Sequence, residues 1–272
     1  MAKKAKAKSE EKMVTRKIVI MSGKGGVGKT TTAINLGAAL NFFGKKVTVV
    51  DANLTTADMG VYLGVPILPT TLHDVLNGKK DISEAVYTHK SGTLIVPSSI
   101  ALQESKKLHE EKLEKAIQAL EGSCDFLILD GAPGLGREAL ASLNAAEEVL
   151  IVTNPELPAV TDALKTVKLC QERGKKVVGV IVTKTNVKNA DMPLKDIEEI
   201  LELPIMEIIP EDRAVKFAQA QRDAVVHTHP KSAASIQYKR LAATLANLEY
   251  EERIPKQNGA MTEFLLRWFG FK

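Results

Sequence analysis

The sequence predicts a single three-layer α/β domain, a mainly parallel sheet with helices on both faces. Seven short, β-branched apolar runs recur along the 272 residues, and most are separated by segments in which apolar residues return at helical spacing. Strands that alternate with helices pair in parallel and are covered on both sides, so each reads as a continuous apolar run. An apolar content of 44%, without an internal repeat or a shift in composition, supplies one sizeable core and gives no sign of a second domain.

In chain order the first run is Ile18–Met21, followed by Gly23-Lys24-Gly25-Gly26-Val27-Gly28-Lys29-Thr30-Thr31 and a helix over Lys29–Phe43 that Gly44 stops. Val47–Val50 and Thr93–Val96 are the next strands. A helix over Glu110–Leu120, stopped by Gly122, leads into the strand Phe126–Leu129. Val149–Val152 precedes a helix over Ala159–Arg173 that ends at Gly174. Val177–Val182 and Ile205–Ile209 complete the sheet, and Ser232–Leu248 is the domain's last helix. Gly44, Gly122 and Gly174 stand where helix C-caps ask for a left-handed backbone. The expected division is a basic flexible arm over 1–16, the domain over 17–249, a linker over 250–260 and a short helix over 261–272.

The formal charge of +4 is misleading until it is located. Residues 1–17 hold seven Lys or Arg against two Glu, a net of +5, and the other 255 residues carry −1. The body is therefore not a basic surface, and nucleic acid is not an expected partner. Cys124 and Cys170, 46 positions apart, provide neither a disulfide framework nor an iron–sulfur ligand set. His227 and His229 have no third metal ligand nearby in sequence. The basic arm has no apolar segment of a secretory signal, and no 18-residue apolar run exists, so the expected location is the cytoplasm.

Strand, glycine loop and helix together form the setting of a P-loop, G-x-x-x-x-G-K-T. Its backbone N–H groups surround a β-phosphate at the positive end of a helix, Lys29 reaches the β- and γ-phosphates, and Thr30 holds Mg²⁺. Residues 23–31 are thus the expected nucleotide-binding loop. The apolar strand 126–129 ends in Asp130, at the sheet edge where α/β ligands bind, and Asp130 is expected to hold Mg²⁺ through water. Gly131-Ala132-Pro133-Gly134 after it reads as a switch loop.

With Lys24 at its second position, the loop resembles that of the MinD/ParA family of deviant Walker A ATPases. The resemblance extends from Arg16 to Lys272 and implies ATP and Mg²⁺ as ligands and an ATP-dependent homodimer. It also implies that Lys24 reaches phosphates on the partner subunit. In that family the segment matching Asp51-Ala52-Asn53 reads D-x-D, and its second carboxylate positions the attacking water. Asn53 can hydrogen-bond to water but cannot take its proton, so slow hydrolysis is expected, with Lys24, Lys29, Asn53 and Asp130 as the catalytic set. Asp51 is a further candidate for the metal. Asp51 and Asp58 are both candidates to compensate for Asn53, although Asp58, four residues into a turn or helix, reads better as a solvated surface charge. By the same resemblance Thr183, with Asn186 close by, and Pro210 and Asp212 contact the base, which the absence of Asn-Lys-x-Asp marks as adenine. For Glu211 and Asp212 an acidic helix start is an equal alternative.

The end of the chain, Met261 to Lys272, holds four of the twelve aromatic residues and the only Trp. At helical spacing Met261, Phe264, Leu265, Trp268 and Phe271 form one apolar face, with Phe269 beside it and Glu263, Arg267 and Gly270 opposite. The segment resembles the membrane-targeting helix of MinD proteins, and Phe264, Leu265, Trp268, Phe269 and Phe271 are the expected lipid contacts. A large side chain contributes about 1.5–3 kcal/mol on burial, while ordering ten residues costs about 1–2 kcal/mol each. One tail should bind marginally, and pairing two raises avidity by about 10²–10⁴. The expected function is a MinD-like ATPase, peripheral on the inner face of the cell membrane, that serves spatial positioning such as division-site placement. An activating protein partner is expected with it. The alternatives are a ParA-like DNA partition ATPase and a slow or non-hydrolysing nucleotide-dependent scaffold.

Overall fold

Ile18 and Ile20 face one layer of helices, Val19 and Met21 face the other, and none of the four is exposed. A strand covered on both sides belongs in the middle of a sheet. The computed structural model, which describes residues 14–65, 67–100, 109–185 and 192–252, puts it there. The arm over 1–13, Asn186 and the expected lipid contacts from Phe264 to Phe271 lie outside the described residues.

One sheet contains β1 (Arg16–Met21), β2 (Val47–Ala52), β3 (Tyr87–Thr88), β4 (Leu94–Val96), β5 (Phe126–Gly131), β6 (Glu148–Thr153), β7 (Lys176–Thr185) and β8 (Ile205–Pro210). Their order is β3-β4-β2-β5-β1-β6-β7-β8, parallel throughout except for β3 against β4. The helices are α1 (Lys29–Phe42), α2 (Met59–Tyr62), α3 (Leu72–Leu76), α4 (Leu113–Gln118), α5 (Arg137–Asn144), α6 (Leu157–Glu172), α7 (Leu194–Leu201), α8 (Arg213–Ala220), α9 (Val225–Thr228) and α10 (Ala233–Leu245). α1, α2, α8, α9 and α10 cover one face, α3 to α7 the other, and each layer has its own apolar cluster. None of the described helices is long and apolar enough to cross a membrane.

All seven expected strands form. The eighth, β3, is two residues long and held from outside, with the Tyr87 hydroxyl donating to the Thr70 carbonyl at 3.0 Å. Gly44, Gly122 and Gly174 adopt φ of +74°, +78° and +65° at the expected helix ends. The helix expected over 110–120 is shorter, a 3₁₀ turn at Glu110–Lys112 followed by α4. α5 and α7 leave no clear signal in the sequence, because eight residues give only two turns of pattern; α8, whose start matches the helix alternative for Glu211 and Asp212, buries only Ala218. The body also extends past its expected limits at both ends. Arg16 is the first residue of β1, with Nε 2.5 Å from Glu148 Oε2, and the Tyr250 ring stands edge-on to Phe43 at 5.3 Å while Glu252 pairs with Lys239 at 3.1 Å.

α1 lies so close to the sheet that a Cβ on Gly37 would sit 2.5 Å from Val49 Cγ2. Both are fixed by helix and strand, so neither can yield. Gly37→Val is expected to lower the unfolding free energy by about 1–3 kcal/mol through overpacking. Urea denaturation would show this as a lower midpoint at unchanged slope.

Candidate functional site

The carboxyl ends of β1, β2, β5, β7 and β8 meet at one edge of the sheet, and the loop over 23–28 joins β1 to α1 there. Its glycines have separate reasons. Gly26 and Gly28 adopt φ of +78° and +100°, which a side chain resists, and a Cβ on Gly23 would lie 2.1 Å from the Asp162 carbonyl oxygen of α6. Nothing stands within 4 Å of a Cβ on Gly25, so that side of the loop is open. α1 begins at Gly28 with no side-chain cap and no acidic residue in its first turn, which leaves amides free for an anion.

The loop is clamped from β7. The Thr183 hydroxyl is buried 2.5 Å from the Val27 carbonyl oxygen and 2.9 Å from Asn154 Oδ1. Thr183 therefore holds the loop, and it also lines the nucleotide cavity. Lys184, unanticipated from sequence, adopts φ of +54° at a register shift between β7 and β8 and places Nζ 2.6 Å from the Gly26 carbonyl oxygen. A non-glycine residue in this conformation costs energy and is concentrated at functional sites.

A cavity of about 620 Å³ opens beside the loop. Gly25, Gly26, Gly28, Lys29, Thr30 and Thr31 form its floor, Asn53, Thr56, Asp58, Val61 and Tyr62 one wall, and Pro210, Glu211, Asp212, Val215 and Gln219 the other. Lys29 is 7% exposed; burial lowers its pKa while the charges of Asp130 and Asp58 oppose this. Asp130 is 1% exposed, and neither carboxylate oxygen has a hydrogen-bond partner. Burial raises its pKa, with the nearby Thr30 hydroxyl and Lys29 charge opposing. Asp51 stands opposite it in the β2–β5 register, fully buried, and its pKa is raised by burial first and by Asp130 second. The backbone N–H groups of Asn53 and Met59 donate to Asp51 at 3.3 Å each. Two buried carboxylates, one without a partner, beside Thr30 and Lys29 form a donor set that a hydrated divalent cation completes.

Asn53 is corrected. Its amide nitrogen donates to the Thr56 carbonyl at 2.6 Å and its oxygen accepts from the Thr56 hydroxyl at 3.0 Å, so it folds the loop on itself instead of presenting both ends to the cavity. Thr55 is bound by both Glu138 oxygens at the start of α5. Asp212 takes the helix-start alternative, since Oδ1 caps α8 through Ala214 N–H at 2.8 Å and Oδ2 takes Ala234 N–H at 3.1 Å, and it stands in the cavity wall. Pro210 ends β8 in the cavity wall. The Gly134 amide donates to the Ser22 carbonyl at 2.9 Å, and Lys24 Nζ lies 3.6 Å from Glu156 on the protein's own surface.

Asp58, read from sequence as a solvated charge, lines the cavity. Tyr62 and Tyr238 do so as well, and no local pattern could have found them, because α2 and α10 reach the site only by folding over α1. His227 turns to Asp223 at 2.7 Å and His229 to Thr228 at 2.9 Å, so the two rings serve different partners.

The family model described as AAA domain matches residues 15–199, and that of 4Fe-4S iron sulfur cluster binding proteins, NifH/frxC family, matches 135–266. The second match includes one cysteine, Cys170, whose thiol is buried and pushed up to about 11 by that burial. An ATP-binding protein of Methanocaldococcus jannaschii is 36% identical over 254 residues, 93% of this chain and 96% of its own. The septum site-determining protein MinD of Thermotoga maritima is 32% identical over 255 residues, 90% and 92% of the two chains. MinD of Pyrococcus horikoshii, solved with Mg-ADP, superposes with a TM-score of 0.81 at 33% identity and covers 85% of this chain and 96% of that one.

Thr183→Val removes the hydroxyl and leaves the Val27 carbonyl without its donor, a loss of about 1–2 kcal/mol in the loop's preferred shape. Affinity for a fluorescent ADP analogue is expected to fall roughly five- to thirtyfold, and Thr183→Ser should retain it. Equal affinity for Val and Ser would remove the clamp.

Proposed function

Because this chain belongs to the MinD/ParA family of P-loop ATPases, we propose that it binds ATP with Mg²⁺, pairs with a second copy, attaches to a lipid surface and is released on hydrolysis. The buried Asp130 carboxylate, with only the Thr30 hydroxyl and the Lys29 charge near it, beside the open α1 terminus supports this most strongly, since both missing charges are those of a magnesium triphosphate. Loop amides and Lys29 hold the phosphates. The Thr30 hydroxyl would hold the cation, and Asp130, with Asp51 behind it, would accept from a water on it. When bound, Mg²⁺ would supply neutralisation of the charge on the β- and γ-phosphates.

In the described state Lys24 faces Glu156, and both side chains are about half exposed. Such a surface pair is worth at most about 1 kcal/mol, so a partner's phosphates can draw Lys24 away. The lipid contacts are the aromatic residues of 261–272, and the basic arm adds attraction to anionic headgroups. The family serves spatial positioning; for this chain we assign the cytoplasmic face of the membrane, with an activating protein as the second partner. The net charge of −1 over residues 18–272 speaks against the DNA-partition alternative.

Co-sedimentation with anionic liposomes tests the reading. The full chain is expected to pellet with a non-cleavable ATP analogue and not with ADP, and a chain truncated after Gly259 should stay in the supernatant with either. Phosphate release above that of Lys29→Ala is expected from the full chain. Liposome binding indifferent to nucleotide would refute the coupling, and turnover equal to Lys29→Ala would leave a scaffold.

A further inference from the structure

Resting on the ATPase reading above, we infer that Asp58 is the carboxylate that positions the attacking water, the role that Asn53 cannot fill. Three observations on the loop between β2 and α2 converge on it. Asn53 has both ends of its amide on Thr56 and carries no charge. Asp58 occupies the N-cap of α2 yet makes no cap hydrogen bond, although capping is what a carboxylate at that position ordinarily does. Its carboxylate makes no hydrogen bond or ion pair among the described residues, and it lines the cavity together with Lys29 and Thr30. Its charge is felt by Lys29, Asp51 and Asp130 alike, which puts it beside the phosphate-binding end of the cavity.

The loop is fixed so that Asp58 stays there. Asp51 Oδ2 accepts the N–H of Met59, the next residue, and Asp51 Oδ1 accepts that of Asn53, so one buried side chain holds both ends of the turn. Asp51 and Asp130 are closed off within the sheet, each 1% exposed or less, whereas Asp58 is exposed to the cavity. Of the three carboxylates only Asp58 can meet a water that arrives from solvent. The step balances with this group as acceptor. The water oxygen bonds to the γ-phosphorus as the bond to the β–γ bridging oxygen breaks, the electron pair of that bond leaves with ADP, and one water proton passes to Asp58 and then to solvent.

The test uses the full chain with ATP and Mg²⁺. In Asp58→Asn, kcat for phosphate release is expected to fall at least tenfold, while KM and the affinity for a fluorescent ADP analogue stay within about twofold of wild type. In Asp58→Ala, added formate is expected to restore turnover, as it would for a missing carboxylate but not for a missing structural contact. The inference fails if Asp58→Asn turns over within twofold of wild type, if affinity falls as much as kcat, or if formate restores nothing. Wild-type turnover no higher than Lys29→Ala would instead overturn the ATPase reading itself.

Discussion

The site depends on two carboxylates and an ammonium held inside a dry sheet edge with too few partners. Asp130 has none, Asp51 has two long backbone bonds, and Lys29 is nearly buried between the loop and β5. Burying charges this way is unfavourable unless something outside the chain completes the set. The two apolar layers make the arrangement tolerable. α1 is fixed to the sheet by Gly37 and to the rest of its layer by Asn35, whose Nδ2 donates to the Thr31 carbonyl at 2.8 Å and whose Oδ1 accepts from Val225 N–H at 2.7 Å. The loop therefore cannot relax to hide its charges, and a ligand receives a site already shaped.

That part of the molecule was legible in the sequence because its causes are local. Buried parallel strands read as unbroken apolar runs, the loop's glycines are fixed by backbone handedness and close approach, and Asp130 ends a strand. What the sequence does not show are the supports, where a side chain's partner is distant or lies within its own loop. Thr183 reads as a base contact, and nothing local reveals that its hydroxyl also meets Val27, 156 positions away. Asp212 ties α8 to the start of α10, and Asn53 turns to Thr56. Asp58 failed in the opposite sense. A carboxylate before a short helix reads as a cap or a surface charge, and only the orientation of α2 over the loop shows it unused.

The contacts that hold the moving parts are weak by comparison. Gly134 N–H rests on the buried Ser22 carbonyl, while Thr55 on Glu138 and Lys24 on Glu156 are exposed pairs. An exposed ion pair such as the last is worth about 1 kcal/mol or less. A phosphate oxygen offers the Gly134 N–H a charged acceptor in place of a neutral carbonyl, for which hydrogen bonds are roughly twice as strong. The loops are thus closed enough to be ordered without ligand and loose enough to be rearranged by one.

How such a rearrangement could govern lipid attachment is constrained by distance. The described chain ends near Phe43 and Tyr250, at the far end of α1 from the loop. Fourteen residues of helix separate the two by about 21 Å. α1 is buried from Thr32 to Leu40, and it contains no proline. A rigid helix packed on both its neighbours does not carry a small shift at one end into a new surface at the other. Nucleotide occupancy is more readily sensed at the loop's own open side, where Gly25 and Lys24 face solvent and a second subunit can dock. On that account pairing, and not a change propagated along α1, brings two weak tails to one membrane, and their combined avidity does the switching.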